Sequence, residues 1–121
     1  MSSRHELQER RRNLHEQMRA LSYEPLMRGS VVERTRRCGS KRCACATDDS
    51  ARHAGKYLSV HANGRTQVMH LREEDETRVR AAIAAYGRVW KIIEGLTACE
   101  LAQLRLDARE RARARLEKRR R

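Results

Sequence analysis

Three cysteines and a histidine crowd into one short stretch, Cys38-Gly39-Ser40-Lys41-Arg42-Cys43-Ala44-Cys45 followed by His53, in the spacing C-x4-C-x-C-x7-H. No other feature constrains the chain as much. A tetrahedral zinc ion held by three thiolates and an imidazole would order a loop too small to order itself. The stretch therefore reads as a zinc knuckle within residues 26–55, with Cys38, Cys43, Cys45 and His53 as ligands and zinc as the cofactor. Two alternatives stay open, because the single residue between Cys43 and Cys45 is a tighter gap than most zinc pairs use. One is a set of reduced cysteines packed as small hydrophobes, the other a disulfide. Cys99, far along the chain, reads as a small buried hydrophobe.

A metal would also answer a need in the composition. With no Phe, one Trp and three Tyr among 121 residues, a single domain of this length has a thin core. Helix pairing and self-association are the other aids on offer. The same chain carries 28 Lys plus Arg against 16 Asp plus Glu, so polyanions are the expected partners. Met1-Ser2-Ser3-Arg4-His5-Glu6 leads into no apolar segment, and no apolar run is long enough to span a bilayer. The expectation is a cytoplasmic, nucleoid-associated bacterial protein without a membrane partner.

Leu7, Leu14, Met18 and Leu21 form one narrow stripe, which predicts a helix over residues 3–22 lying on another helix and ended by Pro25. Gly29-Ser30 signals a turn, and Val31-Val32 a short strand. Asn63-Gly64 between alternating runs predicts a β-hairpin over residues 56–71, pairing Tyr57 with His70, Leu58 with Met69, Val60 with Gln67 and Ala62 with Arg65. Residues 72–118 are helical in pattern, opening on Glu73-Glu74-Asp75-Glu76, with an apolar seam of Val79, Ile83, Tyr86, Trp90 and Ile93. Gly95 and the capping box from Thr97 to Glu100 leave a break and restart open, although one long helix, with or without a kink, is favoured. The fold class is α+β and mainly helical, a single domain over 1–121: N-terminal helix, zinc knuckle, β-hairpin and long C-terminal helix. The helices would form an antiparallel pair or an intersubunit coiled coil, the latter making a homodimer.

Arg34, Arg36, Arg37, Lys41 and Arg42 crowd the first ligands. A site of three thiolates and a neutral imidazole around zinc has a formal charge of minus one, which one or two cations would offset. The surplus is assigned to phosphate, as are Arg65 at the hairpin turn and Arg109, Arg113, Lys118, Arg119 and Arg120 in the basic tail. Tyr57 follows the knuckle on the hairpin's polar face and is the candidate for stacking on a base or sugar. Catalysis is not expected and no catalytic residue is assigned. Asp48, Asp49, His53, His61 and His70 could be imagined as a metal nuclease, but there is no Gly-rich phosphate loop and no spaced carboxylate set.

Gly29-Ser30-Val31-Val32-Glu33-Arg34, Cys38-Gly39, Cys43-Ala44-Cys45-Ala46, His53, Tyr57 and Gly64-Arg65-Thr66 together resemble a family of small, largely uncharacterised bacterial proteins often encoded near transposases. The shared core of that family is G-S-x-V-x-R-x-x-x-C-G-x-x-x-C-x-C-A, then H-G-P-Y and a Gly-Lys/Arg-Thr turn, and the likeness spans about residues 26–105. It implies association with mobile DNA and puts His53 in the place of the family's histidine, although this chain reads His53-Ala54-Gly55-Lys56 there. The expected function is a DNA-binding accessory or regulatory protein of a bacterial mobile element, holding duplex DNA by its phosphates. The rivals are an RNA-binding or ribonucleoprotein subunit, and an adaptor docking on a larger recombination or nucleic-acid enzyme.

Overall fold

The structure, a computed structural model, describes residues 3–121. Helix α1 (Arg4–Ala20) is followed by strand β1 (Gly29–Arg36), two short 3-10 turns at Ala44–Ala46 and Asp49–Ala51, strands β2 (His53–Ala62) and β3 (Arg65–His70), and helix α2 (Glu73–Arg120). The fold is α+β and mainly helical, with an antiparallel three-stranded sheet in the order β1-β2-β3. By its internal contacts the chain forms two compact units, Glu24–Tyr86 and a second made of the segment up to Tyr23 with Gly87–Arg121.

In the sheet unit, β2 and β3 pair in the expected register, Tyr57 with His70 through Ala62 with Arg65. Asn63 and Gly64 supply the two left-handed residues, φ 56° and 77°, that a tight hairpin turn demands. The third strand is the larger finding. Where Val31-Val32 predicted a short strand, β1 runs for eight residues and pairs with β2 from Gly29–Val60 to Arg36–His53. Glu33-Arg34-Thr35-Arg36 has no apolar alternation to announce a strand, so its order comes from the β2 backbone beside it. The knuckle is therefore not a module preceding a hairpin. It is the loop that joins β1 to β2.

One face of the sheet carries Val31, Leu58 and Val60 onto the opening turns of α2. Leu58, Leu71 and Val79 form a small buried core with Met27, Ile83, Val31 and Val60 packed around it. Met27 N–H donates to the Ala82 carbonyl at 3.1 Å, and Lys56 Nζ reaches Glu76 Oε1 at 2.7 Å, which ties the sheet to the helix by polar contacts as well.

In the helical unit, the Ser3 hydroxyl caps α1 by accepting the Glu6 N–H. Arg4 pairs with Asp107 and Glu110, and Arg11 with Glu100, so α1 runs antiparallel to this part of α2. Leu7, Ile92 and Cys99 are its buried apolar residues. Gly95 does not break α2. It sits where the Leu14 methyls come so close that a Cβ would lie 3.1 Å from Cδ1, a use of glycine for close approach within one continuous 48-residue helix.

The expected α2 seam needs correction. Val79 is buried and Ile83 packs on the sheet core as expected, but Trp90 is 49% and Ile93 38% exposed and Tyr86 is only half-buried, while Ala82, Ala85, Ile92 and Cys99 take the buried positions. A seam drawn through the bulkiest side chains misses that small residues let neighbouring elements approach most closely. The Met27 bond to Ala82 and the Leu14 contact at Gly95 are the two cases seen here.

Candidate metal centre and basic surface

Pairing of Arg36 with His53 closes the long β1–β2 hairpin, and the chain between them folds back so that Cys38, Cys43 and Cys45 meet His53. Gly39, at φ 85°, takes the left-handed conformation that turns the chain directly after the first ligand. Of the next two cysteines, Cys43 stands just before a 3-10 turn and Cys45, fully buried, lies inside it. One buried ligand and three more exposed ones make a surface site anchored from below.

Each of the four residues offers one donor atom, and these atoms all lie within 4.8 Å of one another. Cys38 Sγ and Cys45 Sγ are 3.6 Å apart, and Cys43 Sγ and His53 Nε2 3.3 Å. Zinc–sulfur bonds of about 2.3 Å in a tetrahedron separate thiolates by about 3.8 Å, so the donor set is close to the size the ion requires. The four residues can hold a metal ion, and all three cysteines among them are free of disulfides.

The backbone prepares the thiols for the anionic form that a metal needs. Hydrogen bonding from the Cys45 backbone, then from the Cys45 side chain and His53, draws the Cys43 thiol down to about 6. The Ser40 backbone draws Cys38 down too. Cys45 accepts the Cys38 N–H at 3.4 Å, which favours its thiolate, but burial and the neighbouring thiols outweigh that bond and leave its pKa raised. His53 is raised by Cys43 and then Cys38, the response of an imidazole to adjacent sulfur anions. Three thiolates this close repel one another, and a divalent cation relieves that repulsion.

The basic residues fall into two groups. Arg34 and Arg36 lie on β1, Lys41 and Arg42 in the knuckle and Arg65 at the start of β3, all exposed and, among the described residues, without an ion pair. Arg37 differs, being held by the Asp49 carboxylate within the loop. Arg109, Arg113, Lys118, Arg119 and Arg120 lie on the last turns of α2 in the helical unit, all exposed. Tyr57 is half-buried on the sheet face turned away from α2, its ring edge-on to His70 at 5.5 Å. Sequence reasoning named Arg34 as a phosphate ligand and Val32 in a short strand but did not place either beside Tyr57, because the pairing of β1 with β2 that brings them there had no local signal.

Fold and site together define a small α+β protein in which a three-cysteine, one-histidine cluster closes a β-hairpin backed by a helix. The chain belongs to the family described as Domain of unknown function (DUF6788), whose match covers residues 4–81. The whole cluster lies inside that match, and the basic end of α2 lies outside it. No curated protein and no solved structure matches the chain. No helix is long and apolar enough to cross a membrane among the described residues.

Proposed function

We propose that this chain is a zinc-ordered DNA-binding accessory or regulatory protein of a mobile element, gripping phosphates through the arginines of β1 and the knuckle. One observation carries this: Arg34, Arg36, Lys41 and Arg42 stand exposed around the metal cluster and, among the described residues, none pairs with a carboxylate. Surface cations kept for solubility are ordinarily interspersed with acids. The choice of DNA rests on the resemblance to transposase-associated proteins. Zinc, when bound, would cross-link the end of β1 to the start of β2. Four protein donors leave no open coordination position for a reacting water, which favours a structural over a catalytic site. The cations at the end of α2 would add phosphate contacts, with the helix C-terminus also stabilised by them.

Titrating labelled DNA with the zinc-loaded protein at several salt concentrations tests the proposal. Replacing Arg36 and Arg42 by Ala should weaken binding to unrelated sequences alike and lower the slope of log affinity against log salt by roughly 1.4 to 1.8. Unchanged affinity and slope would overturn it. Leu101, Leu104 and Leu116, 46% to 64% exposed on α2, favour a second reading in which that face docks another chain and the protein is an adaptor. An adaptor, purified alone, would bind no nucleic acid.

A further inference from the structure

We infer that the sheet face turned away from α2 is a stacking platform for single-stranded DNA, with Tyr57 as its central ring. This rests on the nucleic-acid reading above and specifies which form of the polymer is bound. The strand register sorts every side chain of the sheet to one face or the other. Val31, Leu58 and Val60 go to the side packed on α2, and so does Glu33, the only carboxylate in the three strands. The strands consequently place no acid on the opposite face.

On that open face Tyr57 stands in the middle strand with Val32 across from it on β1 and His70 on β3. His70 meets the tyrosine edge-on, with 82° between the rings, so the phenol is braced from one side before any ligand arrives. Gly55 lies beside it in the same strand. A Cβ at that position would be 3.4 Å from Tyr57 Cε2 and 3.8 Å from His70 Nε2, so the ring pair lies against the glycine and any side chain there would sit in contact with both rings. Arg34 is the register partner of Gly55, and Arg36 follows one row nearer the metal cluster on the same face. A braced aromatic on a strand face that carries guanidinium groups without ion pairs and no strand carboxylate combines base stacking with phosphate attraction.

Duplex DNA offers no ring face to this surface, because its bases are already stacked on one another. Val32 and the half-exposed Val68 offer a sugar apolar contact, and Ser59, the register partner of Val68 on the same face, offers a hydroxyl. A single strand is therefore the form that matches the ring, and DNA is the polymer carried over from the nucleic-acid reading above.

The test uses the full zinc-loaded chain and one short labelled sequence as single-stranded DNA, duplex DNA and single-stranded RNA. Single-stranded DNA should bind tightest. Tyr57→Leu should weaken it by roughly 5- to 150-fold while leaving the salt slope and duplex binding unmoved. Tyr57→Phe should keep wild-type affinity, and Gly55→Leu, which crowds the ring pair while keeping the tyrosine itself, should reproduce the loss if Tyr57→Leu does not fold. Silence of both Tyr57→Leu and Gly55→Leu, with the arginine variant still defective, overturns the platform and spares the phosphate reading. Tighter binding of RNA than of DNA overturns the choice of polymer. Failure of the wild-type protein to bind any of the three overturns both readings at once.

Discussion

The two units of this chain solve the same shortage of core by different means. The sheet unit buries Leu58, Leu71 and Val79 as its central cluster and spends a long loop on gathering four metal-ligating side chains. The helical unit has no such cluster among the described residues. It is held by Leu7, Ile92 and Cys99, by the close approach of Leu14 to Gly95, and by ion pairs at Arg4 and Arg11. A helix satisfies its own backbone hydrogen bonds locally, whereas the loop between β1 and β2 has only two single-turn 3-10 helices of its own. The unit rich in non-local structure is thus the one that needs a cross-link, and three of the four cysteines fall there.

The largest expected effect follows directly. Purified protein should carry about one zinc per chain, and Cys43→Ser or His53→Ala should abolish it, since structural zinc sites contribute of the order of 10 kcal/mol to folding. Hydrogen exchange read residue by residue should show β1 and β2 losing protection while α1 and the facing part of α2 keep theirs. Equal loss in both units would break the comparison, because it would mean that they unfold as one body. Retention of zinc by both variants would remove the ligand assignment.

A smaller effect sharpens the description of the helical unit. Leu7, 2% exposed, should cost about 2 to 5 kcal/mol when replaced by Ala. Trp90→Ala should cost clearly less, about 1 to 2 kcal/mol, because half of the indole already faces water. Thermal melts of the two variants check the order. A Trp90→Ala protein destabilised more than Leu7→Ala would show that the bulky seam, not the small-residue face, carries the packing.

Legibility in the sequence followed the range of the interactions. The hairpin register was readable because Asn63-Gly64 fixes it within two residues, and the helices because their patterns repeat every turn. The metal ligands were readable because thiols and an imidazole at short spacing form a donor set within one loop, before any distant segment has to be placed. Most of β1 was not, since half of it is charged and polar and only pairing with β2 makes it a strand. The outer sheet face was hidden with it. Arg37 illustrates the same limit, because it looked like its free neighbours until the fold placed Asp49 against it.

The smallest expected effect concerns acid, and it separates the units again. The Gln103 amide and then Arg4 hold the Asp107 carboxyl below its ordinary value, and Lys56 and then Arg80 do the same for Glu76. A carboxyl with a depressed folded pKa contributes stability that is fully present above its unfolded value, near 4, and is lost as pH falls through the lower folded value. In the helical unit Asp107 is the identified acid-sensitive group, and the side chains of the Arg4–Asp107 pair are half and one-third exposed, so solvent screens it and lowering the pH from about 5 to 3 should reduce α1 protection by a few-fold at most. Asp107→Asn should remove its share of that dependence. The sheet unit should respond far more steeply, because protons there also compete with a metal for thiolates. Parallel acid profiles for the two units would argue that no metal holds the sheet unit together.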